Sequence, residues 1–354
     1  MSATWGEKIK ITVFGESHGN AVGVTIDGFP AGEKIDFDTV NKMILRRKTN
    51  RNEFSSQRNE PDTPEIISGV TNGITNGFPI TAVFKNNDAH SNDYNLDILR
   101  PGHADYTAYI KFGGHADMRG GGNFSGRLTL PVVFAGAICM QYLNSIGIEI
   151  SAHALKIRNI DDDKFDSLNI PEELISLLKE KDYPIINDNK LNDMLSEIKK
   201  AKEDKNSVGG VIECAITGMK AGVGSPMFEG VESVISSILF SVPAVKGVEF
   251  GAGFNASLMY GAECNDEMYC ENGTIKFKSN NNGGINGGIT NGNPIIFKTA
   301  IRPTPTISKP QNTVNIKTNK NEVISAKGRH DPCIVFRAVP VIEAAAAIAV
   351  MGLI

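Results

Sequence analysis

One octapeptide occurs twice in this chain. GITNGFPI at residues 73–80 returns as GITNGNPI at 288–295, identical at seven of eight positions. Other features recur in the same order: TIDGFPAG ending at Gly32 is echoed by AITGMKAG ending at Gly222, and Arg127 followed by PVVFAGAI is echoed by Arg337 followed by PVIEAAAAI. With 36 glycines in 354 residues, any one match is within reach of chance. Three matches in register order point to an ancient duplication. The expectation is a single domain over 1–354, built of two related halves at about 1–147 and 207–354, with a helical excursion over 160–205.

The local patterns agree with that division. Lys10–Phe14 and Ala21–Ile26 are short, β-branched and bounded by glycines, so they read as strands. A helix is expected from about Asp38, with Val40, Met43 and Ile44 on one face and an Asp36 or Asp38 cap, ending at Arg46 and Arg47. Glu65–Val70 and Pro79–Phe84 read as strands joined through a Gly/Asn turn, and Pro131 opens a small-residue helix that Gly147 stops. Asn-Gly punctuation favours hairpins over a doubly wound parallel sheet. Gly/Ala-faced helices at 131–146 and 340–353 can approach other helices closely. The fold class expected is therefore α+β, a sandwich of two mainly antiparallel sheets around central helices, with internal duplication.

Several functional classes are disfavoured by composition. No run approaches the roughly 18 consecutive apolar residues of a membrane helix, and MSATWGEKIKITVF lacks a secretory pattern, so a cytoplasmic, non-membrane protein is expected. The five cysteines are scattered without a C-x-x-C pair, and a net charge of -4 lacks the attraction expected of a nucleic-acid binder. The basic residues divide unevenly, 25 Lys against 11 Arg, and every Arg but Arg158 falls in or beside a Gly/Pro/Asn-rich loop. Guanidinium holds phosphate and carboxylate through paired hydrogen bonds, so this placement suggests a site for a polyanion as readily as it suggests solvated loops.

Four motifs carry candidate chemistry. Gly15-Glu16-Ser17-His18-Gly19 matches the G-x-S-x-G elbow of serine hydrolases, but a strand pattern, AVGVTIDG, follows it where an elbow needs a helix. Arg100-Pro101-Gly102-His103-Ala104-Asp105-Tyr106 sets an anion contact beside a proton donor. In Arg119-Gly120-Gly121-Gly122-Asn123-Phe124-Ser125-Gly126-Arg127, three glycines let successive N–H groups converge on an anion, without the pattern of a P-loop or a dinucleotide fingerprint. Lys327-Gly328-Arg329-His330-Asp331 leads towards Arg337, placing a carboxylate between two arginines that would keep it ionised. No residue spacing supports a metal site.

Together, GESHG, RPGHADYT, RGGGNFSGR, SVPAVKGVEFG, GGINGGITNG and KGRHDPC with RAVPVIEAA resemble the chorismate synthase family, over Trp5 to Met351. The resemblance implies a carbon–oxygen lyase acting on a phosphate: 5-enolpyruvylshikimate 3-phosphate gives chorismate and phosphate by an anti-1,4-elimination that needs reduced FMN (FMNH2) without net redox change. It also implies a sandwich fold with internal pseudosymmetry and a homotetramer, and leaves NADPH as a possible reductant of the flavin. By resemblance, His18 protonates the departing phosphate, His103 keeps the flavin correctly protonated and Asp331 assists proton traffic at flavin N5. Ser17, Arg47, Arg127 and Arg337 are expected at the substrate; Asn123, Phe124, Ser125, Pro243, Ala244, Gly287, Arg302, Pro303, Thr304, Pro305, Thr306 and Arg329 match positions that hold FMN.

The chain departs from the commoner family pattern at several of these places. Many members have Arg-Ser where Asn123-Phe124 stand, Asn in place of Pro243, Lys in place of Arg302 and an Arg near Glu53, whose role Arg51 would have to take. Two competing classes stay in view: a serine hydrolase using Ser17, and a non-catalytic binder of phosphate ligands.

Overall fold

A computed structural model of the chain describes residues 3–48, 60–88, 96–326 and 331–354. Alternation of apolar and polar residues builds its first sheet, from β1 (Thr4–Trp5), β2 (Lys10–Gly15), β3 (Ala21–Asp27), β4 (Glu65–Ser68) and β7 (Ile80–Lys85), with the small hairpin β5 (Val70–Thr71) and β6 (Ile74–Thr75) between the last two. The order is β1-β2-β3-β7-β4, with every pairing antiparallel. Val22, Val24, Ile26, Ile80, Ala82 and Phe84 point inward and are buried. On the other face Thr25 and Thr81 meet through their hydroxyls at 3.1 Å, as a sheet with one solvated face requires.

The second sheet repeats the arrangement. It comprises β8 (Glu149–Ile157), β9 (Ile160–Asp161), β10 (Gly210–Thr217), β11 (Val245–Phe250) and β16 (Ile295–Ile301), ordered β11-β16-β10-β8-β9. The hairpins β12 (Met268–Glu271) with β13 (Thr274–Phe277), and β14 (Ile285–Asn286) with β15 (Ile289–Thr290), lie between β11 and β16. A final hairpin pairs β17 (Gln311–Asn315) with β18 (Lys320–Ile324). The order β2-β3-β7-β4 in one sheet thus corresponds to β8-β10-β16-β11 in the other. The repeated octapeptide does the same job twice. Thr75 donates to the carbonyl of Pro30 at 2.7 Å and accepts from Glu33 N–H at 2.9 Å; Thr290 donates to the carbonyl of Lys220 at 2.6 Å and accepts from Val223 N–H at 2.9 Å.

Eight helices among the described residues complete the fold: α1 (Phe37–Arg47), α2 (Asp105–Lys111), α3 (Thr129–Ser145), α4 (Glu172–Glu180), α5 (Leu191–Glu203), α6 (Val231–Leu239), α7 (Gly261–Cys264) and α8 (Val335–Leu353). Four of them, α1, α3, α6 and α8, form its central layer, while α4 packs on the other face of the second sheet. The centre is α3 on α8, flanked by α1 and α6, with the first sheet against α3 and the second against α8. Both central helices are apolar nearly all round, as burial on every side demands. Counted from Gly126, α3, like α8, is long and apolar enough to cross a membrane by length and composition although neither is an unbroken apolar run, yet 67% and 78% of their most apolar windows are buried inside the fold. A Cβ on Gly136 would lie 2.3 Å from Ala344, so the crossing is closer than any side chain at 136 permits.

A buried ion pair enters this core. Glu343 of α8 is fully buried, takes both arms of Arg46 from α1 at 2.6 and 3.2 Å, and accepts the backbone N–H of Ala152 at 3.0 Å. Arg46 is thus a strut between helices, not a loop cation. The Asp36 cap of α1 is formed as expected, through N–H bonds from Asp38 and Thr39. Several boundaries differ from the sequence reading, among them the start of α3 at Thr129, two residues before Pro131. Strand β4 stops at Ser68 because Gly69, at φ 84°, turns the chain against Ile80. Helix α8 begins at Val335 and takes Pro340 into its interior, which puts Arg337 in its first turn. All five cysteines are free thiols.

Candidate active site

The ends of many elements meet around a cavity of about 560 Å³, within the ~300–1,000 Å³ usual for small-molecule sites. The β2–β3 turn brings Ser17 and His18, the end of α1 brings Arg47, and the approach to β4 brings Asp62; Arg100 and His103 come from the turn before α2, and Gly120 and Asn123–Arg127 from the approach to α3. The opposite wall is Phe240–Lys246 between α6 and β11, Arg302 and Thr304–Thr306 after β16, and Asp331, Ile334 and Arg337 at the start of α8. Six cations line it against four carboxylates.

Two guanidinium groups are fixed at its floor. Arg127 donates from Nε to Asn86 at 2.9 Å, from Nη2 to the carbonyl of Lys85 at 3.2 Å, and from Nη1 to Asp62. Arg47 donates from Nε to Thr129 at 3.2 Å, and its Nη1 is 3.6 Å from the other oxygen of Asp62. Arg47, Asp62 and Arg127 are each at most 5% exposed. A shared carboxylate offsets the repulsion of two neighbouring buried cations and holds their forks in one orientation. Asp62 itself sits at φ 56° between Pro61 and Pro64.

Both histidines rest on the glycine triplet. A Cβ on Gly120 would lie 2.3 Å from the His18 ring and 3.0 Å from Ser17 Oγ, and one on Gly121 would lie 3.2 Å from His103 Nε2. Their φ values of 59° and 88° are also left-handed. The triplet therefore makes room for two imidazoles, a reason distinct from the anion nest expected of it. Asn123 ties the turn to β2 by donating to the carbonyl of Gly15 at 2.7 Å, and Ser125 donates to Ser17 at 3.2 Å.

His103 is oriented from behind. Its Nδ1 lies 2.7 Å from Asp105, which also takes the Arg100 fork at 2.8 and 2.7 Å. Burial pushes the Asp105 carboxyl up, but hydrogen bonds from His103 and Arg100 outweigh it and hold the group well below the usual carboxylate range. An ionised acceptor fixes the proton on Nδ1 and leaves Nε2 towards the Gly121 side of the cavity. The whole turn is anchored by residues 97–99, which bond to Val314, Ile316 and Thr313 beside the β17 strand.

On the far wall Arg337 pairs with Asp331, whose carbonyl accepts the Thr304 hydroxyl at 2.8 Å. Arg302 donates its backbone N–H to Ala244 at 3.0 Å, and its Nε is buried without a hydrogen-bond partner among the described residues. An orphaned guanidinium N–H in the same lining as the Thr306 hydroxyl is a donor set suited to a phosphate group such as that of a flavin mononucleotide.

The expected site residues largely converge. Ser17, His18, Arg47, His103, Asn123, Phe124, Ser125, Arg127, Pro243, Ala244, Arg302, Thr304, Pro305, Thr306, Asp331 and Arg337 all line this cavity. Pro303 does not, and Gly287 sits in the β14–β15 turn, next to Gly288, whose carbonyl accepts from Val231 at the far end of α6. Arg329, Arg51 and Glu53 lie outside the described residues. Arg119 pairs with Asp117 at 2.7 Å away from the cavity lining. Sequence reasoning missed Asp62, Glu60 and Lys246. The Pro61-Asp62-Thr63-Pro64 run was the one available signal for a rigid turn before β4.

Comparison with known proteins bears on this geometry. The chorismate synthase family profile matches residues 9–354. Chorismate synthase of Lancefieldella parvula is 40% identical, covering 99% of this chain and 96% of that protein; those of Methanocaldococcus jannaschii and Korarchaeum cryptofilum are 42% and 41% identical over 99% and 96% of this chain and 95% and 93% of theirs. A crystal structure of chorismate synthase superposes with a TM-score of 0.77 at 27% identity, covering 99% of this chain and 92% of that one.

Proposed function

The chain belongs to the chorismate synthase family, and on that premise we propose that its cavity converts 5-enolpyruvylshikimate 3-phosphate to chorismate and phosphate, as a carbon–oxygen lyase dependent on reduced FMN. The observation that carries this reading is the pairing of two imidazoles, seated on adjacent glycines, with five arginines in the lining of one cavity. Substrate with two carboxylates and a phosphate, together with the flavin phosphate, supplies anions for those arginines. Reduced FMN, when bound, would supply the electron density that the elimination needs.

The chain's own residues then have distinct tasks. Arg47, Arg127 and Arg337 clamp the substrate anions, and because Asp62 and Asp331 already hold three of these forks, little reorganisation accompanies binding. His18, steadied on Gly120 beside Ser17, delivers a proton to the departing phosphate. His103, held by Asp105 through Nδ1, keeps Nε2 for proton exchange with the flavin. Asp331 assists that proton traffic while its charge is shared with Arg337. Ser125, Arg302 and Thr304 to Thr306 would hold the cofactor, which an external reductant, NADPH among the candidates, would keep reduced. With Asn123 bonded to Gly15, contacts from that position fall to the backbone.

A homotetramer is part of the same proposal. Met227, Phe228, Phe254, Leu258 and Tyr260 are 78–87% exposed, an apolar display that a second copy of the chain would cover. Light scattering tests it. The decisive experiment for function is phosphate release from the enolpyruvyl substrate with anaerobically reduced FMN. No release under those conditions, or a fluorophosphonate label landing on Ser17, would turn the reading away from a lyase.

A further inference from the structure

The turn that carries Ser17 and His18 is held by a half-buried residue that does not itself line the cavity. Antiparallel pairing sets Ala21, at the start of β3, opposite Lys85, at the end of β7, so the next residue, Asn86, emerges beside the β2–β3 turn. Its backbone N–H donates to the carbonyl of Asn20 at 3.0 Å. Its side-chain Nδ2 donates to the carbonyl of Glu16 at 3.0 Å and to that of Gly19 at 2.8 Å, while Oδ1 accepts from Nε of Arg127 at 2.9 Å. Glu16 and Gly19 are the two ends of the turn, which the Gly19 N–H closes on the Glu16 carbonyl at 3.1 Å. The segment bearing Asn86 is fixed by Glu60, 3% exposed, whose carboxylate accepts the N–H groups of Asn87 and Asp88 at 2.8 and 3.1 Å. A carboxamide suits this place because it offers two N–H groups to two carbonyls and one oxygen to a guanidinium. Aspartate has the same shape and no donor.

We propose that Asn86 is a positioning residue for the lyase reaction, a single amide that sets the His18 turn and the Arg127 fork relative to each other. This role rests on the proposed function, in which His18 delivers a proton to the departing phosphate and Arg127 holds substrate anions. Proton donor and anion clamp must meet one substrate at the same moment, so an error in their spacing costs rate even when each is intact. The two groups come from segments 109 residues apart in sequence, and Asn86 bonds to both.

Phosphate release with anaerobically reduced FMN is followed in the full-length wild type, Asn86→Ala, Asn86→Asp, His18→Ala and the double variant of Asn86→Ala with His18→Ala. Turnover is taken per FMN-binding site, so a misfolded fraction does not enter kcat. Asn86→Ala should lower kcat about 10- to 100-fold and leave the FMN Kd unchanged. Asn86→Asp still accepts from Arg127 but turns an oxygen towards two carbonyl oxygens, so it should lose at least as much in kcat. If the amide served Arg127 alone, that variant would keep wild-type turnover. In the His18→Ala background, Asn86→Ala should cost less than about threefold, because the group it sets is gone. Wild-type kcat in either single variant, or an equal loss with and without His18, overturns the positioning role and leaves the proposed function standing. A wild type that releases no phosphate overturns the proposed function, and this role with it.

Discussion

Replacing Gly120 by Ala tests whether the glycine triplet exists to seat the His18 imidazole proposed as proton donor. The added Cβ would lie 2.3 Å from the His18 ring, whereas ordinary contact begins near 3.4 Å, so the ring must retreat by about 1 Å. A displacement of that size commonly costs about 10²-fold in rate, because proton delivery depends on near-attack geometry. The backbone cost is separate: φ is 59° at Gly120, and a non-glycine residue there gives up about 1–2 kcal/mol. Gly147→Ala carries the same backbone penalty, at φ 81° with nothing within 4 Å of its Cβ, and lies outside the cavity lining. Turnover is followed as phosphate release with anaerobically reduced FMN, and stability by thermal unfolding. Gly120→Ala should lose about 100-fold in kcat, Gly147→Ala almost nothing, with similar shifts in Tm. Combining Gly120→Ala with His18→Ala should add little further loss. Wild-type turnover in Gly120→Ala, or an equal loss in Gly147→Ala, would refute the reasoning.

His18→Ala and His103→Ala should each lose about 10²–10⁴-fold in turnover while FMN still binds, and full activity in both would reject their proposed roles. Arg46→Met strands Glu343 as a buried, uncompensated carboxylate at a cost of about 3–5 kcal/mol, most of which Arg46→Met with Glu343→Leu should recover in denaturant unfolding. His153 is enclosed between Asp162 and Glu213, each 3.1 Å from one ring nitrogen; burial lowers its pKa, but the two carboxylates outweigh that and raise it. Its stabilising contribution is therefore complete below about pH 6.5 and lost as pH rises through the higher folded-state value, so hydrogen exchange over 162–187 should accelerate with pH beyond its intrinsic increase. An equal acceleration in His153→Gln would remove that explanation.

The duplicated octapeptide announced the sandwich because its constraint is local. Gly-Ile-Thr-Asn-Gly holds its Thr against the chain that leaves a strand, and the same bonds recur at Thr75 and Thr290. The strand corresponding to β2 in the second sheet, β8, carries no such sequence echo, since its residues are buried on both faces by α8 and the excursion and were selected for packing. The membrane-length character of α3 and α8 was likewise hidden by isolated polar residues such as Glu343, whose compensation by Arg46 appears only when α1 and α8 meet. Among the loop arginines, Arg47, Arg100, Arg127, Arg302 and Arg337 do converge, whereas Arg46 and Arg119 serve Glu343 and Asp117. Convergence depends on long-range topology, which residue spacing does not encode.

A cavity proposed to take polyanions yet carrying four carboxylates of its own looks self-defeating until its donors are set against them. Guanidinium has five N–H groups, and in Arg127 Asn86, Lys85 and Asp62 engage one on each nitrogen, leaving two others for a ligand edge among the described residues. Without Asp62, two buried guanidiniums would repel each other and relax towards solvent, and ligand binding would have to supply the energy to gather them. With it, the forks are already oriented and the ligand shares them with the carboxylate. The same logic holds for Asp331 on Arg337 and Asp105 on Arg100. The quantity that matters for the ligand is therefore the number of oriented, unspent donors. A net charge of -4 for the chain carries no information about that number.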